Sequence, residues 1–298
     1  MRKPLISTVI ITFNRANLLK NCLESLKKQI TSFPYEVIVI DNGSTDNTKK
    51  IVEDFGYEYV FVPQQESKRP RHLALNYSRG KFIAFIDDDA LAQNDWIEQI
   101  GIFFKKNNKN VAAIGGKIKD ISQNIIGEVD HLFNFGNHYG KKYLVVRTVP
   151  TVNACYRKDV LKKINFDKKI YLGEDVDLNW RIKKEGFVIF YNPKLIVSHL
   201  SINNLHDFIN KRIKQGEGFF KIRRIHSDLP LKIPSSFIWF SLFFYVYVVG
   251  SWIRSTKTNY FITKLPRSIL YLPYLFIAHR AFWLGVYKSF KKEKNGEE

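Results

Sequence analysis

Three consecutive aspartates, Asp87, Asp88 and Asp89, end the apolar run in AFIDDDA, in a chain whose formal net charge is +19. Adjacent carboxylates repel one another and desolvate badly, so beside apolar residues they require open water, a proton or a cation. An acidic turn in solvent meets the first condition and is the bland reading. The D-x-D spacing points to the third. Side chains alternate in an extended segment, which would turn Asp87 and Asp89 one way and Asp88 the other. Two converging carboxylates suit a hard divalent ion, Mg2+ or Mn2+, that keeps waters and takes diphosphate oxygens as further ligands.

A second acidic pair, Glu174 and Asp175, stands in YLGEDVDLNWRIKKEGF at the predicted start of a helix that stops at Gly186. Acids there complement the helix dipole whatever else they do. A carboxylate fixed near a metal and a diphosphate can also accept a proton from an attacking hydroxyl. His199 ends the apolar stretch LIVSH, where a histidine serves either as a satisfied core residue or as a metal ligand. Arg212, in INKRIKQGEGFF, could reach a diphosphate or lie on a solvated helix face with Lys211 and Lys214.

The elements that must position these groups alternate. Thr8 to Thr12 reads as a β-branched strand, followed by a helix capped by Asn14 with Leu19, Cys22, Leu23 and Leu26 on one stripe. EVIVID is a strand ending in Asp41, TDNTKKIVEDF a helix stopped at Gly56, and YEYVFVP a short strand. A helical piece near HLALNYS precedes KFIAFI, which is apolar on both faces. This rhythm predicts an α/β fold with a doubly wound, mostly parallel sheet, in which ligands bind beyond the carboxyl ends of the strands. Asp41 and the triplet both lie at that edge.

The order of motifs resembles the family 2 glycosyltransferases of the GT-A fold. The matching stretches are STVIITFNRANLLKNCLESL, EVIVIDNGSTDNT, RHLALNYSRGKFIAFIDDD and FDKKIYLGEDVDLNWRIKKEG, within roughly residues 4 to 220. The resemblance implies an inverting, metal-dependent transferase using a nucleotide sugar. Thr12, Asn14 and Asp41 would line the nucleotide pocket, with Asp41 on the base. Arg71 would stand near the donor, although His72 replaces the asparagine usual beside it. Asp89 would ligate the metal, Asp87 would contact ribose or a metal-bound water, Asp88 would be the variable middle residue on the donor side, and His199 would complete the metal shell. Asp175 would be the general base. Arg212 would contact the diphosphate, and Glu174 and Asn153 would lie on the acceptor side, Arg157 near them. Residues 1–225 would form the catalytic domain, about 1–110 its donor half and 111–225 its acceptor half.

Beyond residue 226 the composition changes. No charge appears from Ile233 to Ile253, and SILYLPYLFIAHRAFWLGVY is also strongly apolar. A transmembrane hairpin would carry the basic connector holding Arg254, Lys257, Lys264 and Arg267 across the bilayer, against the usual charge bias. Interfacial or re-entrant helices at the cytoplasmic face of the membrane are expected instead, held by their apolar faces and by basic flanks. A soluble helical pair packed on the rest of the chain is the competing reading.

Composition narrows the rivals. With 298 residues, 45% of them hydrophobic, the chain can bury a large core, and Cys22 and Cys155 are expected as free thiols in a reducing compartment. The 47 Lys and Arg residues are spread and accompany no nucleic-acid motif, so no nucleic-acid partner is expected. ITFNRAN lacks the glycines of a pyrophosphorylase phosphate loop. The expected partners are a nucleotide-sugar donor, a glycan or lipid-linked acceptor and a membrane surface. The alternative from another class is an inactive nucleotide-binding scaffold.

Overall fold

The parallel pairing that the apolar runs predict forms around β1 (Ile6–Thr12), which lies between β2 (Tyr35–Asp41) and β4 (Phe82–Ile86), with β3 (Glu58–Phe61) outside β2. The coordinates come from a computed structural model that describes residues 3–63, 70–136, 142–170, 172–229, 246, 250 and 267–296. All five residues of β4 are buried, as a strand covered on both faces requires. Helices α1 (Ala16–Lys27), α2 (Thr48–Asp54) and α3 (Ala74–Tyr77) make the crossovers, and a 3-10 turn at Pro70–Leu73 precedes α3.

Beyond β4 the sheet turns antiparallel. Its order is β3-β2-β1-β4-β8-β6-β9-β5, with β7 also on β9, where β5 is Ala90–Ala92, β6 Val111–Asp120, β7 Leu144–Val146, β8 Asn153–Arg157 and β9 Val188–His199. The helices α4 (Trp96–Lys106), α5 (Ile125–Phe135), α6 (Lys158–Lys163), α7 (Glu174–Lys184), α8 (Leu205–Ile225) and α9 (Arg267–Lys294) complete the described elements. One large core unites β1, β2, β4 and β8 with α6 and α7 through Val9, Ile38, Phe85, Tyr156, Leu161 and Leu178.

The chain divides into two compact units, residues 1–119 with 139–199, and residues 120–138 with 200–298. This division comes at residue 200, ahead of the composition change near 226, because α8 packs along α9. The two helices approach so closely that a Cβ on Gly216 would overlap the Phe282 carbonyl oxygen, and one on Gly285 would overlap that of Ile213. Of the uncharged run 233–253, only Val246 and Gly250 are among the described residues. Cys22 and Cys155 are buried free thiols.

Candidate active site

The acidic triplet is a turn. β4 ends at Ile86, the Ala90 N–H donates to the Asp87 carbonyl, and β5 begins at Ala90. Strand alternation therefore does not govern the three side chains, and they sort differently from the expectation. Asp87 accepts from Arg71 Nη2 at 2.7 Å. Asp88 is buried, accepts from the Thr12 hydroxyl at 2.8 Å, and shares Arg15 with Asp89. Burial pushes the Asp88 carboxyl up to about 6, against the pull of Arg15.

Strand pairing brings His199 to the same place. β5 and β9 run antiparallel in a register that sets Ala90 opposite His199, so the residue after the triplet fixes the imidazole beside it. His199 Nε2 lies 3.3 Å from Asp89 Oδ1. Two cis ligands of an octahedral Mg2+ or Mn2+ stand about 3 Å apart, so this oxygen and nitrogen fit one hard ion with its remaining positions left to waters and phosphate oxygens. Among the described residues no group of three or more His, Cys, Asp and Glu side chains is arranged to hold a metal. Asp89 and His199 are the pair at this point whose chemistry and spacing would suit such an ion.

Arg71 connects the turn to the second acidic motif. Buried in the 3-10 turn, it spans Asp87 and Glu174, donating through Nη2 to the first and Nη1 to the second. Burial opposes its charge, yet Glu174 and Asp87 outweigh that and hold the guanidinium above its ordinary value. Glu174 is also buried and opens α7 immediately after Gly173, whose φ of +75° places it in the left-handed region that favours glycine. Asp175 follows at the next position, half-buried, close enough to raise the pKa values of Arg71 and Tyr156 through its charge. The result is a row of carboxylates from Asp89 through Asp87 and Glu174 to Asp175, with Arg15 on Asp89 and Arg71 bridging Asp87 and Glu174.

The β1 and β2 ends form a second wall. Asn14 has a φ of +50°, its backbone N–H donates to Ser44 Oγ, and its side-chain oxygen accepts from the Thr45 N–H, both at 2.8 Å. Asn14 does not cap α1; the Ala16 N–H is satisfied by Asp46 from the neighbouring loop at 3.0 Å. Asp41 is buried and accepts from the Tyr59 hydroxyl at 2.7 Å and the Ser44 N–H at 2.9 Å. Burial, together with the hydrogen bond to Asp41 and its negative charge, pushes the Tyr59 phenol up.

The profile of the family described as Glycosyl transferase family 2 matches residues 7–165, a span that contains Thr12, Asn14, Asp41, Arg71 and the triplet. The chain belongs to glycosyl transferase family 2. This family 2 enzyme is 27% identical to the glycosyltransferase AglE of Haloferax volcanii over 74% of each chain. It is 26% identical to the dolichyl N-acetyl-alpha-D-glucosaminyl phosphate 3-beta-D-2,3-diacetamido-2,3-dideoxy-beta-D-glucuronosyltransferase of Methanococcus voltae, over 96% of this chain and 97% of that one. Its fold resembles that of the mannosyltransferase PcManGT from Pyrobaculum calidifontis, solved with GDP-Man and Mn2+, at a TM-score of 0.66 and 15% identity over 97% and 88% of the two chains. The predicted GT-A architecture is thereby established, and the protein is a glycosyltransferase.

Two expected site residues of this transferase are engaged elsewhere. Asn153, expected on the acceptor side, is fully buried: its oxygen accepts from Trp96 Nε1 at 2.9 Å and its amide donates to the carbonyls of Lys117 and Leu195. It stitches β6, β8, β9 and α4 together, in space that Gly116 leaves by lacking a Cβ. Arg157 beside it donates to three backbone carbonyls and lies over Phe82 and Phe104. Arg212, expected on the diphosphate, belongs to the second unit, where it is wholly buried on Asp130 and Asn134 and over the Phe133 ring. Burial lowers its pKa to about 10 in spite of Asp130. Conversely, Arg15 was missed. Its signal in the sequence is a lone cation at the end of TFNR, at the same sheet edge as three acids.

Proposed function

We propose that this glycosyltransferase moves a sugar from a nucleoside-diphosphate sugar to an acceptor hydroxyl with inversion, using Mg2+ or Mn2+. The observation that carries the reading is the row of carboxylates itself, with the Asp89–His199 pair at one end and Asp175 at the other, tied by Arg71 across Asp87 and Glu174. Asp89 and His199 would hold the ion, with Asp87 toward ribose or a metal-bound water. When bound, the ion supplies neutralisation of charge developing on the leaving diphosphate. Thr12, Asn14 and Asp41 line the nucleotide end, Asp41 exchanging or sharing its Tyr59 bond with the base.

Asp175 is the proton acceptor in this reading. Glu174 cannot fill that place, because its carboxylate is buried and committed to Arg71. Asp175, one residue on at the helix start, is the more open of the two acids and takes the proton as the acceptor oxygen attacks. Arg71 fixes the distance between donor-side and acceptor-side carboxylates, which is the orientation that an in-line displacement needs.

The acceptor is proposed to be a glycan or a lipid-linked sugar at the cytoplasmic face of a membrane. A lipid-linked acceptor is supported by the name of the Methanococcus voltae relative, aligned along nearly its whole length. Membrane contact is supported by α9, whose residues Ile269–Lys294 are long and apolar enough to cross a bilayer by length and composition, with 44% of the apolar window buried. Ile269, Leu270, Phe276 and Leu284 remain exposed along it, and Lys288, Lys291 and Lys292 follow. An exposed apolar stripe ending in lysines matches an anionic lipid surface.

A thermal-shift panel of nucleoside diphosphates and nucleotide sugars, each with and without Mn2+ or Mg2+, tests the donor reading. A ligand of the folded state raises Tm by mass action. One nucleotide should stabilise only with metal, and Asp89→Ala should abolish that shift. No shift under any condition would remove the donor site and the nucleotide-binding scaffold alike.

A further inference from the structure

Arg15 is a cation of this site with no role in the scheme above. From the residue just before α1, its Nη1 donates to Asp88 Oδ1 at 3.0 Å and to Asp89 Oδ2 at 2.9 Å. Asp89 is thus divided: Oδ2 rests on Arg15 while Oδ1 faces His199. The two arginines on the triplet differ in exposure. The Arg71 side chain is 9% exposed, whereas that of Arg15 is 46% exposed. Arg15 can therefore leave its carboxylates for solvent or for an incoming anion without vacating a packed site.

Three adjacent carboxylates need positive charge whether or not a donor is bound. A divalent ion taking Asp89 must approach within a few ångströms of the Arg15 guanidinium, and two cations at such a distance repel. A nucleoside diphosphate removes the conflict, because it brings negative charge for both. We propose that Arg15 is a resident counter-cation of the acidic turn: it competes with the divalent ion for Asp89, and so makes metal binding conditional on a nucleoside diphosphate. The inference rests on the reading of Asp89 and His199 as the metal pair. It adds a coupling between metal and donor that must act equally in both directions.

The test is Mn2+ binding to the full chain, followed by the paramagnetic resonance signal of free Mn2+, without nucleotide and then at saturating GDP or UDP. Five proteins are compared: the parent, Arg15→Ala, Arg15→Lys, Lys20→Ala and His199→Ala, each checked by thermal melting. Lys20 is an exposed cation on α1 and controls for long-range charge. Arg15→Ala should tighten Mn2+ binding without nucleotide about tenfold. The gain in Mn2+ affinity on adding nucleotide should shrink by the same factor. Arg15→Lys, which keeps the charge without the planar fork, should fall between. It carries the test alone if the alanine variant does not fold.

Lys20→Ala should change the Kd less than twofold. An unchanged or weaker Mn2+ affinity in Arg15→Ala, or an equal effect from Lys20→Ala, overturns the proposal while leaving the metal pair standing, provided His199→Ala still abolishes binding. Absence of Mn2+ binding in every protein, with and without nucleotide, overturns both readings together.

Discussion

At the scale of single residues, the site is a contest among carboxylates for a few cations. Asp175→Asn should leave nucleotide affinity within a fewfold of the parent and lower kcat by about 10² to 10⁴, the range a general base contributes. Rapid-quench turnover set beside a nucleotide titration separates the two effects. Arg71→Ala strands the buried Glu174 carboxylate and should destabilise the fold by roughly 3–5 kcal/mol, read from denaturant unfolding. The residue types were legible in the sequence, because acids beside apolar strand ends demand an explanation. Which acid faces which cation was not. Period-two alternation fails once Asp87 to Asp89 bend into a turn, and nothing in the spacing of residues 71 and 174 announces that Arg71 would bridge to Glu174.

Elements impose the geometry that residue types leave open. β1, β2 and β4 follow from apolar runs of strand length, and α1 from its stripe of Leu19, Cys22, Leu23 and Leu26. The antiparallel half does not, since pairing β8 with β4 and β9 with β5 depends on contacts far apart in sequence. The buried partners of Asn153 and Arg212 were illegible for the same reason: a polar residue that satisfies backbone or a distant acid in the interior looks, in sequence, like one that faces a ligand. Glu36 on β2 supplies a pH prediction. Burial opposes its charge, but the Ser7 hydroxyl and the backbone and side chain of Arg79 outweigh that and hold its carboxyl below the ordinary 4.5. Its stabilisation is present above the unfolded-state value and is lost as pH falls through the lowered folded-state value. Glu36→Gln should therefore cost about 0.5–1.5 kcal/mol at pH 7, the exposed Arg79 partner being screened by solvent, with the gap closing below pH 4.5 in urea titrations. Gly285→Ala places a methyl against the Ile213 carbonyl and should cost roughly 1–3 kcal/mol in the same assay.

On the scale of the whole molecule, charge and apolar surface bear on location. A net +19 attracts any polyanion, but the lysines after the exposed stripe of α9 would concentrate that attraction at one end of one helix. Replacing Lys288, Lys291 and Lys292 with serine in the full chain should lower partition onto anionic vesicles about 100-fold at low salt and leave partition onto zwitterionic vesicles nearly unchanged. Flotation at two ionic strengths checks both arms. The apolar character of this region was legible from composition, whereas the pairing of α8 with α9 rests on Gly216 and Gly285, which sequence alone does not join. The short strand β5 has a last consequence, for chain length. Ala90 both follows the acidic turn and sets the register against His199. One residue inserted between Asp89 and Ala90 would either slip β5 by a position along β9, turning the β5 side chains to the opposite face, or carry Asp89 away from His199. Relatives that keep both side chains must then also keep the number of residues between the triplet and β5, so gaps in an alignment at this point would mark members whose chemistry has diverged.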